Sequence, residues 1–250
     1  MPKPEVLADF YRRYYDSRDE KTTCDDVSRL GRHIEGYLRP DFHRDRPRIL
    51  DFGGGDGALA IEIAQRLLQS GACSSAEIWV VDFHQPRTAS HPNITIGSCD
   101  SLEKLSGRFD LVMASAVLEH IPEVNPVIKK LTSLMRGGGW FYARTPYVAP
   151  FAFLPFKIDF TFPGHVHDLG PQFWDRILET FSLNAEILRS EPSPVETLLA
   201  KHFFRTIAAA ALKFPARLEC LLRSSRVPRR RTWKMVGGWE ILLRVNNPYV

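Results

Sequence analysis

Asp51-Phe52-Gly53-Gly54-Gly55-Asp56-Gly57 follows the short run Arg48-Ile49-Leu50 and opens the helix-like segment 58–69. A strand, a glycine turn and a helix in that order build a site for a nucleotide-type cofactor. The glycines at 53, 55 and 57 permit positive φ and let a ligand approach the backbone closely. The acid ahead of them discriminates further. A carboxylate at the strand end suits a ligand with a cationic amino group, not one that puts a pyrophosphate there. Gly53-x-Gly55-x-x-Ala58 also fits a degenerate dinucleotide fingerprint, and a tight strand–helix turn without a ligand is the plainer alternative. The choice rests on the residues further along the chain.

Outward from this turn, strand and helix patterns alternate. Arg48–Phe52 reads as strand one, and Ala58–Gln69 as a helix with Ile61, Ala64, Leu67 and Leu68 on one face, stopped by Gly71. Glu77–Phe83 and Ile94–Gly97 read as strands two and three. Asp110–Ala116 carries the apolar run Leu111-Val112-Met113-Ala114, the pattern of a strand buried on both faces. Asn125-Pro126 starts a helix that Gly137-Gly138-Gly139 ends, and Trp140–Arg144 is strand five. A helix over Pro171–Phe181 and strands at Ala185–Arg189 and Trp239–Val245 complete the pattern. The alternation predicts an α/β fold, a doubly wound seven-stranded mostly parallel sheet with helices on both faces. Four segments follow: an N-terminal helical cap (1–46), the core (47–192), a basic helical insert (193–234) and a final core strand (235–250). The insert reads as two helices, 195–212 and 215–224, followed by the basic run Arg226–Lys234.

Ligands of open α/β sheets bind at the carboxyl ends of the strands. Strand two ends at Asp82, placed to accept both ribose hydroxyls of a nucleoside, with Phe83 beside it to pack on adenine. A solvated strand-end aspartate is the simpler reading of Asp82. Gly164-His165-Val166-His167-Asp168 lies just before the helix at Pro171. Alternation puts His165 and His167 on one side if the backbone is extended. Such a pair also fits a metal, but spacing indicates no third ligand, so no metal is expected.

Asp51, Gly53, Gly55 and Gly57 match, position by position, motif I of the class I S-adenosylmethionine-dependent methyltransferases, Asp/Glu-x-Gly-x-Gly-x-Gly. The stretch Ser115-Ala116-Val117-Leu118-Glu119-His120-Ile121-Pro122 resembles the strand-four region of the type 11 and related small-molecule members. Leu134-Met135-Arg136-Gly137-Gly138-Gly139-Trp140 resembles their Leu-x-Pro-Gly-Gly turn, with Arg136 in place of the proline. The resemblance covers residues 48–145 well and 165–190 more loosely. It implies S-adenosyl-L-methionine as cofactor, with Asp51, the glycines, Asp82, Phe83 and Ser115 around it. It also implies that Asp100 and Ser101, after strand three, meet the adenine, although Asp100 equally suits a turn or helix cap. Methyl transfer from a sulfonium is an in-line displacement, and a base is needed only if the acceptor must lose a proton. His120, His165 and His167 are the candidates; packing beside the cofactor is the alternative for His120. An aromatic N-terminal segment with Tyr11, Tyr14 and Tyr15, near Arg12 and Arg18, is expected to close over the cofactor's carboxylate.

Composition sets the outer bounds. The chain has 250 residues, 44% apolar and 25% charged, ordinary for a soluble globular protein. Cysteines 24, 73, 99 and 220 form no Cys-x-x-Cys pair, the N-terminus starts no apolar signal segment, and the longest apolar runs are too short to span a bilayer. These features predict a cytoplasmic location. Charge is uneven: eleven Lys/Arg against two acids in residues 201–250, so +9 there and −5 over the rest. Apolar and basic residues combined in 195–234 suit peripheral attachment to an anionic membrane. A packed helical hairpin with a solvated cationic face is the plainer reading, and an oligomer contact is a further one. Phosphates of RNA suit Arg229-Arg230-Arg231, but no Asn/Asp-Pro-Pro-Tyr/Phe follows strand four and no Pro-Cys nucleophile is present, which disfavours nucleic acid. The phenylalanine-rich stretch 147–163 is placed to cover an acceptor site, and core packing or a dimer contact are its alternatives. The combined expectation is methylation of a small-molecule or glycan hydroxyl, with a lipid-linked acceptor included. Its rivals are a nicotinamide-dependent oxidoreductase, disfavoured by Asp51 and by the lack of a Tyr-x-x-x-Lys pair, and a non-catalytic binding protein of the same fold.

Overall fold

The computed structural model describes residues 26–82, 86, 91–147, 165–194, 199–222 and 237–246, together with Val6 and Asp9. Within them lie α1 (Val27–Leu38), β1 (Arg48–Phe52), α2 (Ala58–Gln69), β2 (Ala76–Val81), β3 (Ile94–Cys99), β4 (Phe109–Ser115), α3 (Val124–Ser133) and β5 (Met135–Tyr147). They continue with α4 (Pro171–Asp175), α5 (Ile177–Phe181), β6 (Ala185–Pro192), α6 (Leu199–Leu222) and β7 (Gly237–Val245). Short 3₁₀ turns occupy Leu102–Lys104 and Leu118–His120. The aromatic segment at residues 10–25, Phe83, residues 148–164 and the run 226–234 fall outside the described residues.

The seven strands form one sheet in the order β3-β2-β1-β4-β5-β7-β6. Strands β1 to β5 run parallel, and β7 runs antiparallel to both β5 and β6. The expected fold class is therefore present, with β1 and β4 at the centre. All seven residues of β4 are buried, as its apolar run predicts. Successive residues point to opposite faces. Leu50, Val112 and Phe141 enter the core on one side with Trp174 and Trp239. Ile49, Leu111 and Tyr142 enter the other, against α1 and α2 through Leu30, Ile34, Leu59 and Ile63. Each such side chain, fully buried, contributes roughly 1.5–3 kcal/mol by leaving water. Strand five is longer than Trp140–Arg144 because the chain bulges between Phe109 and Leu111 of its partner, so that Met135 also pairs with β4.

One buried charge ties α1 to the sheet. Glu240 of β7 is fully buried. Its carboxylate accepts the Tyr142 hydroxyl at 2.9 Å and the Tyr37 hydroxyl at 3.1 Å, and lies 2.8 Å from His33 Nε2. Tyr37 also bonds Glu191. Burial and the two carboxylates keep the Tyr37 hydroxyl protonated far above the ordinary tyrosine range.

The insert differs from its expectation. It is one helix, α6, with Pro215 inside it, where the sequence divides it at the proline. Inward anchors on both sides of Pro215 hold the two halves in line. Lys213 Nζ donates to Ser193 O at 2.9 Å and Ser193 Oγ at 3.3 Å, Arg217 donates to Pro192 O at 3.3 Å, and Ala216 is fully buried. Lys213 therefore does not lie on a cationic outer face. Burial lowers its pKa to about 8. Among the described side chains of α6 the exposed large residues are apolar: Phe204 is 84% exposed and Leu221 74%, with Phe203, Ile207, Leu212 and Phe214 also exposed. Among the described residues no helix is long and apolar enough to cross a membrane.

The Glu240 cluster makes a direct prediction. Tyr142→Phe removes one donor from a buried carboxylate and is expected to destabilise the fold by about 1–3 kcal/mol. The denaturant midpoint should fall with the m-value unchanged. An unchanged midpoint would mean that Tyr142 contributes packing alone.

Candidate functional site

The glycine turn follows β1 and is contacted from the carboxyl ends of its two neighbours in the sheet, β2 and β4. Gly53, Gly55 and Gly57 hold φ of +70°, +57° and +76°, left-handed values that only glycine adopts without strain. Contacts reinforce the choice: a Cβ on Gly53 would lie 2.3 Å from Val117, and one on Gly54 would lie 2.5 Å from the Asp51 carboxylate. The turn is pinned from two neighbouring strand ends. Gly53 N–H donates to Val81 O at 2.9 Å, and Gly55 N–H donates to Asp82 Oδ2 at 2.9 Å. Asp82 thus stands where the sequence puts it, half-buried at the end of β2, with one oxygen committed to the turn.

Asp51 lies beneath the turn and is 1% exposed. The backbone N–H of Ala60, in the first turn of α2, supports its charged form. Its Oδ2 meets no hydrogen-bond partner among the described residues. Burial, with a smaller contribution from the charge of Asp82, raises its pKa from 3.8 to about 7. The strand-end carboxylate expected to face an amino group is thus packed under Gly54 rather than set in the open.

Ser115 ends β4 and is buried, with its hydroxyl taken by Arg144 Nε at 3.2 Å. The next residue, Ala116, adopts φ +55°, a left-handed conformation unusual for a residue with a Cβ. Such backbone outliers cluster at functional sites. This kink lays Val117 against Gly53 and leads into the 3₁₀ turn that carries Glu119 and His120. Asp100 and Ser101 lie beyond β3. Asp100 is ion-paired with Lys104 at 2.7 Å and exposed, and Ser101 caps the 3₁₀ turn at 102–104 through the Glu103 N–H. The capping role that Asp100 offered belongs to Ser101.

The three histidines do not group as alternation predicts. Glu119 O accepts the N–H groups of Val166 (2.8 Å) and His167 (3.1 Å), which binds loop 165–170 to the β4 exit. The His167 ring turns away and bonds Pro122 O at 2.9 Å. His165 instead faces His120, with ring centroids 4.8 Å apart. The backbone of 165–168 is anchored residue by residue rather than running as a free strand, so the period-two argument fails there. Burial lowers the His165 pKa, against the opposing charge of Asp168. The far end of the loop is tied to β5: Thr145 Oγ1 donates to Leu169 O at 2.7 Å, and buried Trp174 Nε1 donates to both Thr145 Oγ1 and Leu169 O at 3.1 Å.

Glu119 is the residue that sequence reasoning left without a role. It is 1% exposed, its Oε2 has no hydrogen-bond partner among the described residues, and burial raises its pKa to about 7 against the nearby Arg144 charge. Its ligand oxygen and the ring nitrogens of His120 and His165 all lie within 4.8 Å of one another. An acid beside a histidine directly after a buried strand was the available signal.

The profile of the methyltransferase domain family matches residues 15–184. Two curated relatives carry the name ubiquinone biosynthesis O-methyltransferase. The protein from Xanthomonas axonopodis pv. citri is 29% identical over 109 residues, 42% of this chain and 46% of its own. The protein from Methylocella silvestris is 32% identical over 124 residues, 46% of this chain and 48% of its own. The chain spans about half the length of the curated relatives it matches. Among solved structures, magnesium protoporphyrin IX methyltransferase from Synechocystis PCC 6803 with bound S-adenosylhomocysteine superposes with a TM-score of 0.53 at 18% identity, over 96% of this chain and 95% of that one. The plantazolicin methyltransferase BamL superposes with a TM-score of 0.53 at 10% identity, over 98% and 92%. At these identities the likeness is one of fold.

Asp51 gives this site a pH signature in stability. Its folded-state pKa of about 7 stands above the 3.8 of an unperturbed aspartate. The folded protein therefore holds a proton that the unfolded chain has already released, and stability falls as pH rises from about 4 to about 7. Below that window there is no penalty, and above it the penalty is complete, on the order of 4 kcal/mol. Asp51→Asn should flatten this slope in chemical denaturation at a series of pH values. Parallel curves for the two proteins would show that Asp51 does not titrate in the window.

Proposed function

The chain belongs to the methyltransferase domain family, whose methyl donor is S-adenosylmethionine, and we propose that it transfers that methyl group to a hydroxyl oxygen of a small, partly apolar acceptor. The donor set fits the cofactor. A glycine cradle that no Cβ enters and a half-buried carboxylate at the end of β2 suit a ligand with ribose hydroxyls, and the buried Asp51 beneath the turn suits a cationic amino group through its charge rather than by direct contact. When bound, S-adenosylmethionine supplies a methyl group activated by its sulfonium. The chain's own share is orientation and the management of one proton. Holding reactants in a near-attack geometry is worth roughly 7–11 kcal/mol. Asp82, which fixes Gly55, would also accept from the ribose hydroxyls, and the turn would present its backbone to the rest of the ligand.

The observation that carries an oxygen acceptor is the His120–His165 pair, which lies beside the β4 exit whose Val117 touches the glycine turn. A half-buried imidazole whose pKa is lowered by burial is neutral near pH 7 and able to take a hydroxyl proton. The names of the two relatives, both O-methyltransferases of ubiquinone biosynthesis, support the same acceptor atom and an apolar acceptor body. Asp82→Ala removes charge-assisted hydrogen bonds of roughly 1.5–3 kcal/mol each. S-adenosylhomocysteine should then bind at least about tenfold more weakly by calorimetry, with NAD giving no heat on the unaltered protein. His165→Ala should lower methyl release over a pool of phenolic and polyol acceptors by roughly 10²–10⁴, with S-adenosylhomocysteine affinity intact. Full turnover in His165→Ala, His120→Ala and the double variant would sink the proton-transfer role.

A second reading concerns where the acceptor is met. The exposed phenylalanines and leucines of α6, joined by the +9 charge of residues 201–250, favour a protein that rests on an anionic membrane and takes a lipid-borne acceptor from it. Each basic residue near such a surface contributes about 1 kcal/mol. Sedimentation with anionic vesicles at low salt should carry the protein down, and Phe204→Ser/Leu221→Ser should weaken that. No binding at low salt would end this reading.

A further inference from the structure

We infer that Glu119, His120 and His165 form a binding site for a divalent cation of the zinc class, three protein ligands with a further position left for the acceptor's oxygen. The metal site stands on its own geometry; only the assignment of the open position to the acceptor rests on the methyl-transfer reading.

Four observations carry it. First, the ligand atoms converge: one oxygen and two ring nitrogens within 4.8 Å of one another, with His120 Nε2 and Glu119 Oε1 at 3.8 Å. A tetrahedral zinc with bonds of 2.0–2.1 Å spaces its ligands by about 3.4 Å, so a modest turn of each ring closes the cage. Second, the types match. Two imidazoles and one carboxylate are a catalytic zinc set, which keeps its fourth position open. Third, the Glu119 carboxylate is 1% exposed, and its Oε2 meets no hydrogen-bond partner among the described residues. A buried carboxylate oxygen left in that state is costly, and a cation removes the cost.

The fourth is the surrounding scaffold. Metal ligands need second-shell contacts that fix their orientation. Glu119 O receives the N–H groups of Val166 and His167, so the residue that offers the carboxylate also anchors the chain beside His165. The His167 ring is held by Pro122 O and stays out of the cluster. The charged neighbours are Arg144, which acts on Glu119, and Asp168, which acts on His165. They carry opposite charges, so neither sign dominates the surroundings of the cluster. An oxygen coordinated at the open position would be more acidic than a free hydroxyl; with both imidazoles ligated, its proton would pass to solvent, so the metal would take the place of the histidine base in the reaction proposed above.

The test uses the full-length protein freed of metal by dialysis against a chelator. Zn²⁺ titrated by calorimetry should bind with a stoichiometry of one, and Co²⁺ should give the visible absorption of a four- or five-coordinate site. His120→Ala, His165→Ala and Glu119→Gln should each weaken Zn²⁺ by at least about tenfold. The Co²⁺ bands should be lost, while circular dichroism and S-adenosylhomocysteine affinity stay unchanged. The two histidine variants alter half-buried side chains and keep the test valid if Glu119→Gln fails to fold. Absence of stoichiometric Zn²⁺ uptake, or equal uptake by the histidine variants, would overturn the metal site and leave the histidines as a simple acid–base pair. Intact Zn²⁺ uptake in a protein that binds no S-adenosylhomocysteine would uphold the metal site and overturn the methyl-transfer reading instead.

Discussion

The hydrogen bond from the Gly55 N–H to the Asp82 carboxylate, 2.9 Å long, joins the ends of the two strands on which the site depends. It fixes the middle of a turn whose three glycines occupy left-handed backbone. The same carboxylate is only half-buried, just past the end of β2. Below the turn, Asp51 fills the space that a side chain on Gly54 would need. The turn therefore sits between two acids, one exposed in part and one buried. The charge of Asp82 adds to the cost of ionising Asp51, which burial already raises. This arrangement favours a ligand that brings positive charge, and it disfavours one that brings a pyrophosphate.

Five carboxylates lie buried among the described residues. Glu35 and Asp110 pair with arginines, and the surroundings of the other three sort them by role. Glu240 has donors from Tyr37 and Tyr142 and a His33 nitrogen at hydrogen-bond distance. A charge so fully partnered is structural, and it fastens α1 to the sheet. Asp51 and Glu119 each keep one oxygen without a partner among the described residues. Both stand at carboxyl ends of central strands, where open α/β sheets bind their ligands. Unsatisfied buried groups are tolerated at functional sites because a ligand completes them. The left-handed Ala116 belongs to the same pattern. Its strain, of order 1–3 kcal/mol, places Val117 on the glycine turn and Glu119 beside the two histidines.

Helix α6 inverts the usual disposition of an amphipathic helix. Two basic residues, Lys213 and Arg217, turn toward the carbonyls at the end of β6, while phenylalanines and leucines face outward. The anchoring explains how the helix passes Pro215 without ending, since its two halves are held by contacts outside the helix ladder. The outward apolar face includes Phe204 and Leu221, which are among its most exposed side chains.

The linear chain was enough for the sheet and half of the site. Strict alternation of strand and helix, the apolar run in β4 and a glycine at each left-handed position of the turn are local signals, so Asp51, the glycines and Asp82 were legible without coordinates. Phe83 and the aromatic N-terminal segment lie outside the described residues. What tertiary structure decided is everything that depends on two distant segments meeting. His165 pairs with His120 instead of His167 because the Glu119 carbonyl, about 45 residues away, captures the backbone of loop 165–170 and Pro122 captures the His167 ring. Glu119 gained significance only from its burial, and Lys213 changed faces because Ser193 lay within its reach. Periodicity describes a segment's own geometry. Which side chains share a site is set by hydrogen bonds between segments, and those exist only once the sheet has brought the segments together.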